Sequence, residues 1–234
     1  PTLNELHRPF RVGNDVTEAN AALEPERLYG AEVGLDGRAG GVDLSATVFV
    51  NRLEDPVANV TIGFGPATFP IAGFIPEGGV LRRRQNVGVI DAAGVEAEAE
   101  RRFGDRLRLR AAAAYTLAEV DGGSAAPQLT GLRPAQAPRL TLTASADWRA
   151  SERLTLSADV RRESERFEDD LNTRRLKPST TLDGSAAWRL SSTLAVRVDV
   201  RNAFDADVET GRTGDGTISY DAPRAVRLGL SYVR

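Results

Sequence analysis

The chain has 234 residues, of which 41% are hydrophobic and 27% charged, and this composition excludes disordered and low-complexity classes. It has no cysteine and one histidine, which excludes a disulfide framework and a cysteine nucleophile and argues against a zinc enzyme. The net charge of −3 argues against nucleic acid as a partner. No stretch approaches the roughly 18 apolar residues of a transmembrane helix, although a membrane β-barrel stays possible because its signal is alternation. The chain lacks methionine and begins at Pro1, so we expect a fragment or a processed piece.

Apolar and polar residues alternate along much of the chain, which is the signature of strands with one dry and one wet face. In the clearest segment, 140–148, the apolar residues Leu140, Leu142 and Trp148 alternate with polar residues such as Thr141 and Asp147. We call each set of alternate residues, which lies along one face of a strand, a lane. The same period of two recurs from one end of the chain to the other. It predicts nine strands, at about 28–37, 42–52, 87–101, 106–118, 139–149, 153–164, 180–189, 193–202 and 223–233.

The connections between these strands alternate in length without exception. The short ones are 38–41, 102–105, 150–152 and 190–192. The long ones are about 53–86, 119–138, 165–179 and 203–222. An up-and-down barrel has tight turns at one rim and large loops at the other, so this order of connections predicts that architecture.

One hairpin is repeated within the chain. Residues 142–161 align without gaps to 182–201, and the two segments are identical at ten of twenty positions, including Trp148 with Trp188 and Asp159 with Asp199. Repetition of a hairpin suits a barrel that grows by adding hairpins, although a propeller blade also repeats at this period.

Three features favour lipid over a protein core on the dry face. The strands are long enough to cross a bilayer at a tilt. The wet lanes carry arginine, aspartate and threonine throughout, as a polar lumen allows. Aromatic residues lie at the ends of the apolar lanes, where the two membrane interfaces are expected: Trp148, Trp188 and Tyr232 near the short turns, Tyr29 and Tyr115 near the long loops. A soluble all-β protein with aromatic residues at strand ends is the alternative, and Asp91 is an exception on an apolar lane.

Five short elements together resemble a known family. The segments are Pro1-Thr2-Leu3-Asn4-Glu5-Leu6, Asn20-Ala21-Ala22-Leu23-Glu24-Pro25-Glu26, Asn86-Val87 followed by Gly94-Val95-Glu96-Ala97-Glu98, Arg201-Asn202-Ala203-Phe204-Asp205, and the final alternating strand. In this order they are similar to the C-terminal portion of a TonB-dependent outer-membrane receptor. Ala21 stands where that family usually has proline, and Arg234 stands where its barrels usually end on phenylalanine.

The resemblance implies an all-β fold, an antiparallel up-and-down transmembrane β-barrel of which residues 1–234 supply about nine C-terminal strands. The full barrel would have about 22 strands and a plug domain, and the plug and N-terminal strands are expected to be absent here. The implied function is uptake of a ferric siderophore or a similar scarce nutrient, energised through the TonB complex, in the outer membrane of a Gram-negative bacterium. The implied partners are that small ligand, TonB through the absent N-terminal part, outer-membrane lipid and lipopolysaccharide, and the barrel-assembly machinery. A soluble or surface β-rich binding or adhesion protein is the alternative function.

The sequence contains no catalytic constellation, so no enzyme, no cofactor and no metal site is predicted. The acidic run 168–170 is interpreted as a solvated loop, with calcium binding as the weaker alternative. Candidate ligand-binding residues are taken from cationic and aromatic runs in the predicted extracellular loops: His7, Arg8, Phe10, Arg11, Arg82, Arg83 and Arg84. The arginine run has two interpretations, an anionic ligand or structural pairing with lipopolysaccharide phosphates or acidic loop residues, and we favour the second.

Overall fold

A computed structural model describes residues 1–232. It contains one short α-helix, α1 (Leu3–His7), and one 3-10 turn at Pro127–Leu129. The strands are β1 (Phe10–Val12), β2 (Asp15–Glu18), β3 (Arg27–Ala39), β4 (Val42–Glu54), β5 (Val57–Phe64), β6 (Ala67–Phe69), β7 (Gly73–Ile75), β8 (Val80–Asn86), β9 (Val89–Phe103), β10 (Leu107–Asp121), β11 (Leu140–Arg149), β12 (Leu154–Glu163), β13 (Arg166–Phe167), β14 (Arg175–Leu176), β15 (Ser179–Arg189), β16 (Leu194–Arg201), β17 (Glu209–Arg212), β18 (Ile218–Tyr220) and β19 (Ala225–Tyr232).

The nine predicted strands are confirmed as one antiparallel sheet. Its order is β19-β16-β15-β12-β11-β10-β9-β4-β3, so each strand pairs with the next strand of the set along the chain. We call these nine strands the wall. The pairing of β3 with β4 begins at Ala39 opposite Val42, which leaves only the two-residue turn at Gly40 and Gly41. Both glycines have positive φ, the backbone conformation that a tight hairpin of this kind requires.

The two faces of the wall differ as the alternation predicts. On β4, Leu44, Val48 and Val50 are exposed, whereas Thr47 and Phe49 between them are half-buried. The exposed lane is apolar and we call its side of the sheet the outer face. The opposite, inner face carries the polar lanes, including Glu98 and Glu100 of β9 and Arg108 and Arg110 of β10. These inner-face carboxylates and guanidiniums form ion pairs, with Arg110 Nε 3.2 Å from Glu98 Oε1.

Asp91, the exception on the apolar lane, has a partner on the next strand. Arg52 lies directly opposite it in the register of β4 and β9, and Arg52 Nη1 is 3.1 Å from both carboxylate oxygens. Both residues lie on the outer face near the long-loop end. A cross-strand ion pair beyond the apolar part of the lane therefore explains this charge.

The segments at the long-loop end contain secondary structure of their own. Together we call them the cap: residues 1–26, 55–88, 122–139, 164–178 and 202–224. The long connection 53–86 contains β5 to β8, and the N-terminal segment contains α1, β1 and β2. Four of these strands form a second sheet in the order β1-β2-β8-β5, in which β2 and β8 run parallel.

The buried apolar core lies in the cap. One cluster contains Val60, Val87, Val120, Ala126 and Leu129, and a second contains Val16, Ile75 and Leu81. Within the nine wall strands, Val120 at the end of β10 is the one described residue that is buried. The wall thus has no interior of its own in this chain, whereas the cap folds around a hydrophobic core.

Candidate functional site

Asp15 connects the distant segments of the cap. Its carboxylate is 7% exposed and lies within hydrogen-bond distance of two guanidiniums, at 3.2 Å from Arg82 Nη2 and 3.1 Å from Arg174 Nη1. It also accepts hydrogen bonds from the backbone N–H groups of Val80 at 3.1 Å and Gly214 at 3.3 Å. One buried carboxylate therefore joins β2, β8 and the segments around residues 174 and 214.

Residue 214 must be glycine for this connection to form. A Cβ atom at Gly214 would lie 2.1 Å from the carbonyl oxygen of Gly78 and 3.1 Å from Asp15 Oδ1. The backbone of this loop reaches the carboxylate only because no side chain stands between them.

The three consecutive arginines lie in β8, and each has a partner within the chain. Arg82 pairs with Asp15, and Arg83 Nε lies 3.4 Å from the buried carboxylate of Glu18. Arg84 donates to the carbonyl oxygens of Asn4 and Arg8, the second at 3.0 Å, and its guanidinium lies 5.3 Å from the centre of the Phe10 ring. These contacts agree with a structural role for the run. Binding of a ligand by these arginines stays a prediction.

The other candidate residues lie in the N-terminal part of the cap. His7 is exposed and is the last residue of α1, and Arg8 follows it as the exposed C-cap. Phe10 and Arg11 lie on the edge strand β1, where Arg11 Nη2 is 3.4 Å from the carbonyl oxygen of Phe74. Phe10 contributes to the cavity described next, and ligand binding by all four stays a prediction.

A cavity of about 500 Å³ lies between the four-stranded sheet of the cap, β1-β2-β8-β5, and the loops after β10, β13 and β17. Ile90 and Val120 form part of its floor. By strand alternation these two side chains belong to the inner-face lanes of β9 and β10, the same lanes as Glu98 and Arg110. The cavity therefore lies at the long-loop end of the wall, on the side of its inner face.

The cavity contains three guanidiniums and four carboxylates. Its charged lining residues are Asp15, Arg82, Arg133, Glu168, Asp169, Asp170 and Arg212.

Two of the carboxylates are satisfied within the protein, Asp169 by its own loop and Asp170 by β5. Asp169 accepts from Thr173 Oγ1 at 2.6 Å and from the backbone N–H of Arg174 at 2.7 Å. Asp170 accepts from the backbone N–H and the hydroxyl of Thr61, both at 2.7 Å. These bonds explain the acidic run as loop structure. The described residues contain no group of three or more histidine, cysteine, aspartate or glutamate side chains arranged to hold a metal ion.

Arg133 and Arg212 line the cavity without an ion-pair partner among the described residues. Arg133 Nη2 donates to the carbonyl oxygens of Ala137 at 3.1 Å and Glu165 at 3.3 Å, and its guanidinium lies 5.2 Å from the Phe167 ring centre. Burial and the nearby charge of Arg139 lower the pKa of Arg133, which nevertheless stays a cation at neutral pH. Asp169 and Asp170 accept hydrogen bonds from the protein, and Asp15 pairs with Arg82, so Arg133 and Arg212 are the two guanidiniums of this cavity without a described carboxylate partner.

Glu168 is the titratable group of the cavity whose protonation is most affected by its surroundings. Burial raises the pKa of its carboxyl group above the ordinary 4.5, with the nearby charge of Arg82 acting in the opposite direction. Gln136 Nε2 donates to one of its oxygens, and Gln136 Oε1 in turn accepts from Arg166 at 2.9 Å. Protonation of Glu168 removes a negative charge from the cavity.

The sequence analysis missed the residues that complete this site. Arg133, Arg212 and Gln136 lie singly in long connections, and neither their spacing nor a local motif distinguishes them from other polar loop residues. Asp15 sits within β2 between the polar residues Asn14 and Thr17, and nothing in that segment indicates burial. These four residues all lie in the cap. The contacts that bring them together join segments that are far apart in sequence.

The predicted interface aromatics all lie on the outer face of the wall. Trp148, Trp188 and Tyr232 are exposed near the short turns, and Tyr29 and Tyr115 are exposed towards the long loops. Their contact with lipid headgroups stays a prediction. Arg234 lies outside the described residues. No helix among residues 1–232 is long and apolar enough to cross a membrane.

An antiparallel sheet with an apolar outer face, a polar inner face and long loops at one end only has the features of a transmembrane barrel wall. The family comparison agrees with this class: the chain belongs to the TonB-dependent receptor-like β-barrel family, whose model matches residues 1–203. Members of this family are transport receptors and not enzymes, and they are located in the outer membrane of Gram-negative bacteria. Family membership confirms the predicted fold class, location and non-enzymatic nature of the chain.

Solved structures of outer-membrane receptors share the fold at low sequence identity. The ferric yersiniabactin uptake receptor FyuA of Yersinia pestis matches with a TM-score of 0.68 and 20% identity over 88% of this chain and 30% of its own. The siderophore receptor PiuA of Acinetobacter baumannii gives 0.65 and 15% over 88% and 28%. The ferric enterobactin receptor PfeA of Pseudomonas aeruginosa, as an R480A mutant in complex with enterobactin, gives 0.62 and 20% over 93% and 33%. This chain spans about a third of the length of these receptors. A search of curated proteins returns no match.

Proposed function

We propose that the complete protein is an outer-membrane active-transport receptor that takes up a ferric siderophore or a similar scarce nutrient. In this proposal the wall forms part of the barrel, and the cap forms part of the extracellular vestibule in which the ligand first binds. Energy comes from the TonB complex through a region N-terminal to this sequence. Family membership and the likeness to siderophore receptors support this proposal.

The cavity that holds the guanidiniums of Arg133 and Arg212 is the observation that carries the ligand-binding part of the proposal. It lies at the long-loop end, against the inner face of the wall, and Arg133 and Arg212 contribute guanidinium groups without carboxylate partners. Guanidinium groups in a partly dry cavity favour an anionic ligand through charge-assisted hydrogen bonds. A negatively charged ferric chelate has this chemistry.

In the same proposal, the protein contacts membrane lipid and the machinery that inserts it. The outer face of the wall would contact outer-membrane lipid, with lipopolysaccharide at the long-loop end, and the barrel-assembly machinery would insert the chain through its C-terminal strand. The soluble or surface-adhesive alternative is set aside because the chain belongs to a family of outer-membrane barrels.

Uptake of iron by cells tests the proposal. The receptor is expressed from its complete gene in a strain that lacks its own siderophore receptors, and accumulation of ⁵⁵Fe bound to enterobactin, yersiniabactin or a hydroxamate chelator is measured with and without functional TonB. We expect TonB-dependent accumulation with at least one chelate. Accumulation that is equal in the TonB-deficient strain, or absent with all chelates for a receptor that reaches the membrane, would contradict the proposal.

A pair of variants then tests the cavity. We expect the double variant Arg133→Ala/Arg212→Ala to bind the transported chelate about 100-fold more weakly or worse, because it loses a charged hydrogen bond at each position and each is worth about 1.5–3 kcal/mol. Arg224→Ala is the matched control, since Arg224 lies in the cap at 3.7 Å from its own partner Asp205 and does not line the cavity. If the double variant and the control variant bound the chelate with equal affinity, the ligand would not bind in this cavity.

A further inference from the structure

Several arginines near the short turns lack the carboxylate partner that many arginines of this chain have. At the long-loop end, Arg27, Arg52, Arg82, Arg83 and Arg174 each lie within 4 Å of a carboxylate. Near the turn between β9 and β10, Arg101, Arg106 and Arg149 have no such partner among residues 1–232. The nearby carboxylate of Glu100 is already occupied by Arg102, Arg108 and Arg110. The short-turn end therefore presents unneutralised positive charge.

Arg101 is the member of this group that lies on the outer face. It stands opposite Val42 and Leu109 in the strand register, on the same lane as Val95 and Ala99, two residue pairs before the end of the β9–β10 hairpin. An arginine on the lipid-facing lane is unfavourable at the bilayer midplane, but it is tolerated near the interface, where its head group reaches polar atoms. Its position next to the turn is thus that of a residue at headgroup depth.

The aromatic ring of Phe103 lies against the Arg101 guanidinium. The guanidinium carbon lies 4.5 Å from the centre of the Phe103 ring, which is cation–π distance. Phe103 pairs with Leu107, and Leu107 pairs with Trp148 on β11, so Phe103 and Trp148 lie in one cross-strand row. Stacking engages the face of the guanidinium and leaves its N–H groups free along the edge. Those groups match the oxygens of a phosphate in a bidentate arrangement.

A shallow groove extends from Arg101 along the outer face, away from the turn. It has a volume of about 440 Å³, and two cross-strand rows of outer-face side chains on β9 to β12 line it, together with Val42 of β4 and the inner-lane residues Glu100, Arg110 and Ser145. The row nearer the turn contains Arg101, Leu109 and two alanines, and the next row contains three alanines and Val160. Arg101 is the one charged residue of these two outer-face rows. A charged group at one end and an apolar channel beyond it are complementary to a lipid with an anionic headgroup and an acyl chain.

We propose that Arg101, beside the Phe103 ring and near the cross-strand row of Trp148, binds the phosphate of an anionic phospholipid in the periplasm-facing leaflet; Arg106 and Arg149, which strand alternation assigns to the inner-face lanes, contribute only long-range attraction. Short turns of outer-membrane barrels face the periplasm, and that leaflet consists of phospholipids. Arg101 contacts the headgroup phosphate, the unpaired turn arginines add long-range attraction, and one acyl chain lies in the groove. Asp105 and Glu152 are the acidic residues of the two nearest turns, and they reduce the local charge without cancelling the three arginines.

Native mass spectrometry of the detergent-purified receptor, expressed from its complete gene, tests this site. Phosphatidylglycerol and phosphatidylcholine with the same acyl chains are added in equal amounts, and retained lipids are counted. We expect the wild-type receptor to retain phosphatidylglycerol preferentially, and Arg101→Gln to lower its apparent affinity about fivefold, since one arginine near an anionic surface contributes about 1 kcal/mol.

Arg38→Gln is the matched control. Arg38 lies at the same end of the wall but on the inner lane, with its Nε 3.3 Å from Asp43 Oδ1, so its loss should leave lipid retention unchanged. Equal loss in both variants would attribute binding to overall charge and overturn the site. The headgroup comparison on the wild-type receptor requires no variant, and equal retention of the two lipids there would overturn the proposal even if Arg101→Gln failed to assemble.

Discussion

The wall and the cap bury their apolar residues in opposite ways. The wall exposes Leu44, Val48, Leu142 and the other apolar residues of its outer face, and it buries almost none in the described chain. The cap buries Val60, Ile75, Leu81 and Leu129 as an ordinary soluble domain does. Lipid takes the place of a protein core for the wall, so its stability depends on the bilayer. The cap is stabilised by its own packing and by buried ion pairs.

The largest expected effect comes from breaking the central ion pairs of the cap. Asp15→Ala leaves Arg82 and Arg174 without the carboxylate that both contact, and removing one member of a buried ion pair costs about 3–5 kcal/mol. We expect amide hydrogen exchange in β2 and β8 to become fast while the wall strands stay protected. The control is Asp207→Ala, since Asp207 is exposed in the cap and forms no side-chain bond among the described residues. Fast exchange in the wall as well would mean that the two regions do not unfold separately.

The next effect tests the wall. Leu142→Arg places a charge on the outer face at the third residue of β11, opposite Ala113 of β10 and Arg162 of β12, and such a substitution costs about 2–4 kcal/mol at the bilayer midplane and less towards the interfaces. Unfolding by denaturant in lipid vesicles measures this loss. The adjacent Thr143→Arg projects to the inner face and should cost much less. Equal costs at both positions, or none at Leu142, would contradict the assignment of the outer face to lipid.

A smaller effect is expected in the pH dependence of folding stability and of ligand affinity at the cavity. Burial raises the pKa of Glu168, so its ionisation opposes the folded state: the stability that the neutral form contributes is complete below the ordinary pKa of 4.5 and is lost as pH rises through the raised pKa. The charges around it are those of Arg82, Arg166, Asp15 and Asp169. Ionisation also adds negative charge beside the cavity arginines, so we expect affinity for an anionic ferric chelate to fall across the same pH range.

Glu168→Gln should abolish that dependence and keep the low-pH affinity at neutral pH. Binding titrations of both proteins between pH 4.5 and 7.5 measure the difference. If the affinity of the Glu168→Gln variant depended on pH to the same extent, another titrating group would cause the dependence.

The smallest effect is expected for the exposed ion pair on the outer face. Asp91→Asn removes the partner of Arg52, whose side chain is 53% exposed and also lies 3.7 Å from Glu54. Exposed pairs of this kind contribute about 0.2–1 kcal/mol, and salt reduces the contribution further. Denaturant unfolding at low and high salt measures it. A loss above about 2 kcal/mol would mean that Asp91 lies within the bilayer and not beyond it.

The wall could be predicted from the sequence because its information is local. Each wall strand pairs with the next wall strand along the chain. A strand with one face towards lipid is apolar at every second residue, so the alternation of residues 140–148 is direct evidence for such a strand. Even the strand bounds agree closely: 42–52 was predicted for Val42–Glu54. The family motifs added the type of barrel, which alternation alone does not distinguish.

The cap could not be predicted in the same way. β2 pairs with β8, and Asp15 contacts Arg174 and Gly214, so the burial of a residue depends on segments far away in sequence. The arginine run at 82–84 was found because three like charges stand together, and its structural pairing was the favoured interpretation. Arg133 and Arg212 were missed because a single arginine in a loop carries no periodic or motif signal.

The bonds of Asp15 have a consequence for the order in which the chain assembles. Hairpins of the wall close loops of only a few residues, whereas the hydrogen bond from Gly214 to Asp15 joins residues that are 199 apart. Loop-closure entropy makes such long-range contacts slow to form. The wall hairpins can therefore close before this contact forms, and the cap reaches its final form only when residues 202–224 have joined it. A chain that ends before this loop would retain most of the wall and leave the central carboxylate of the cap without one of its four donors.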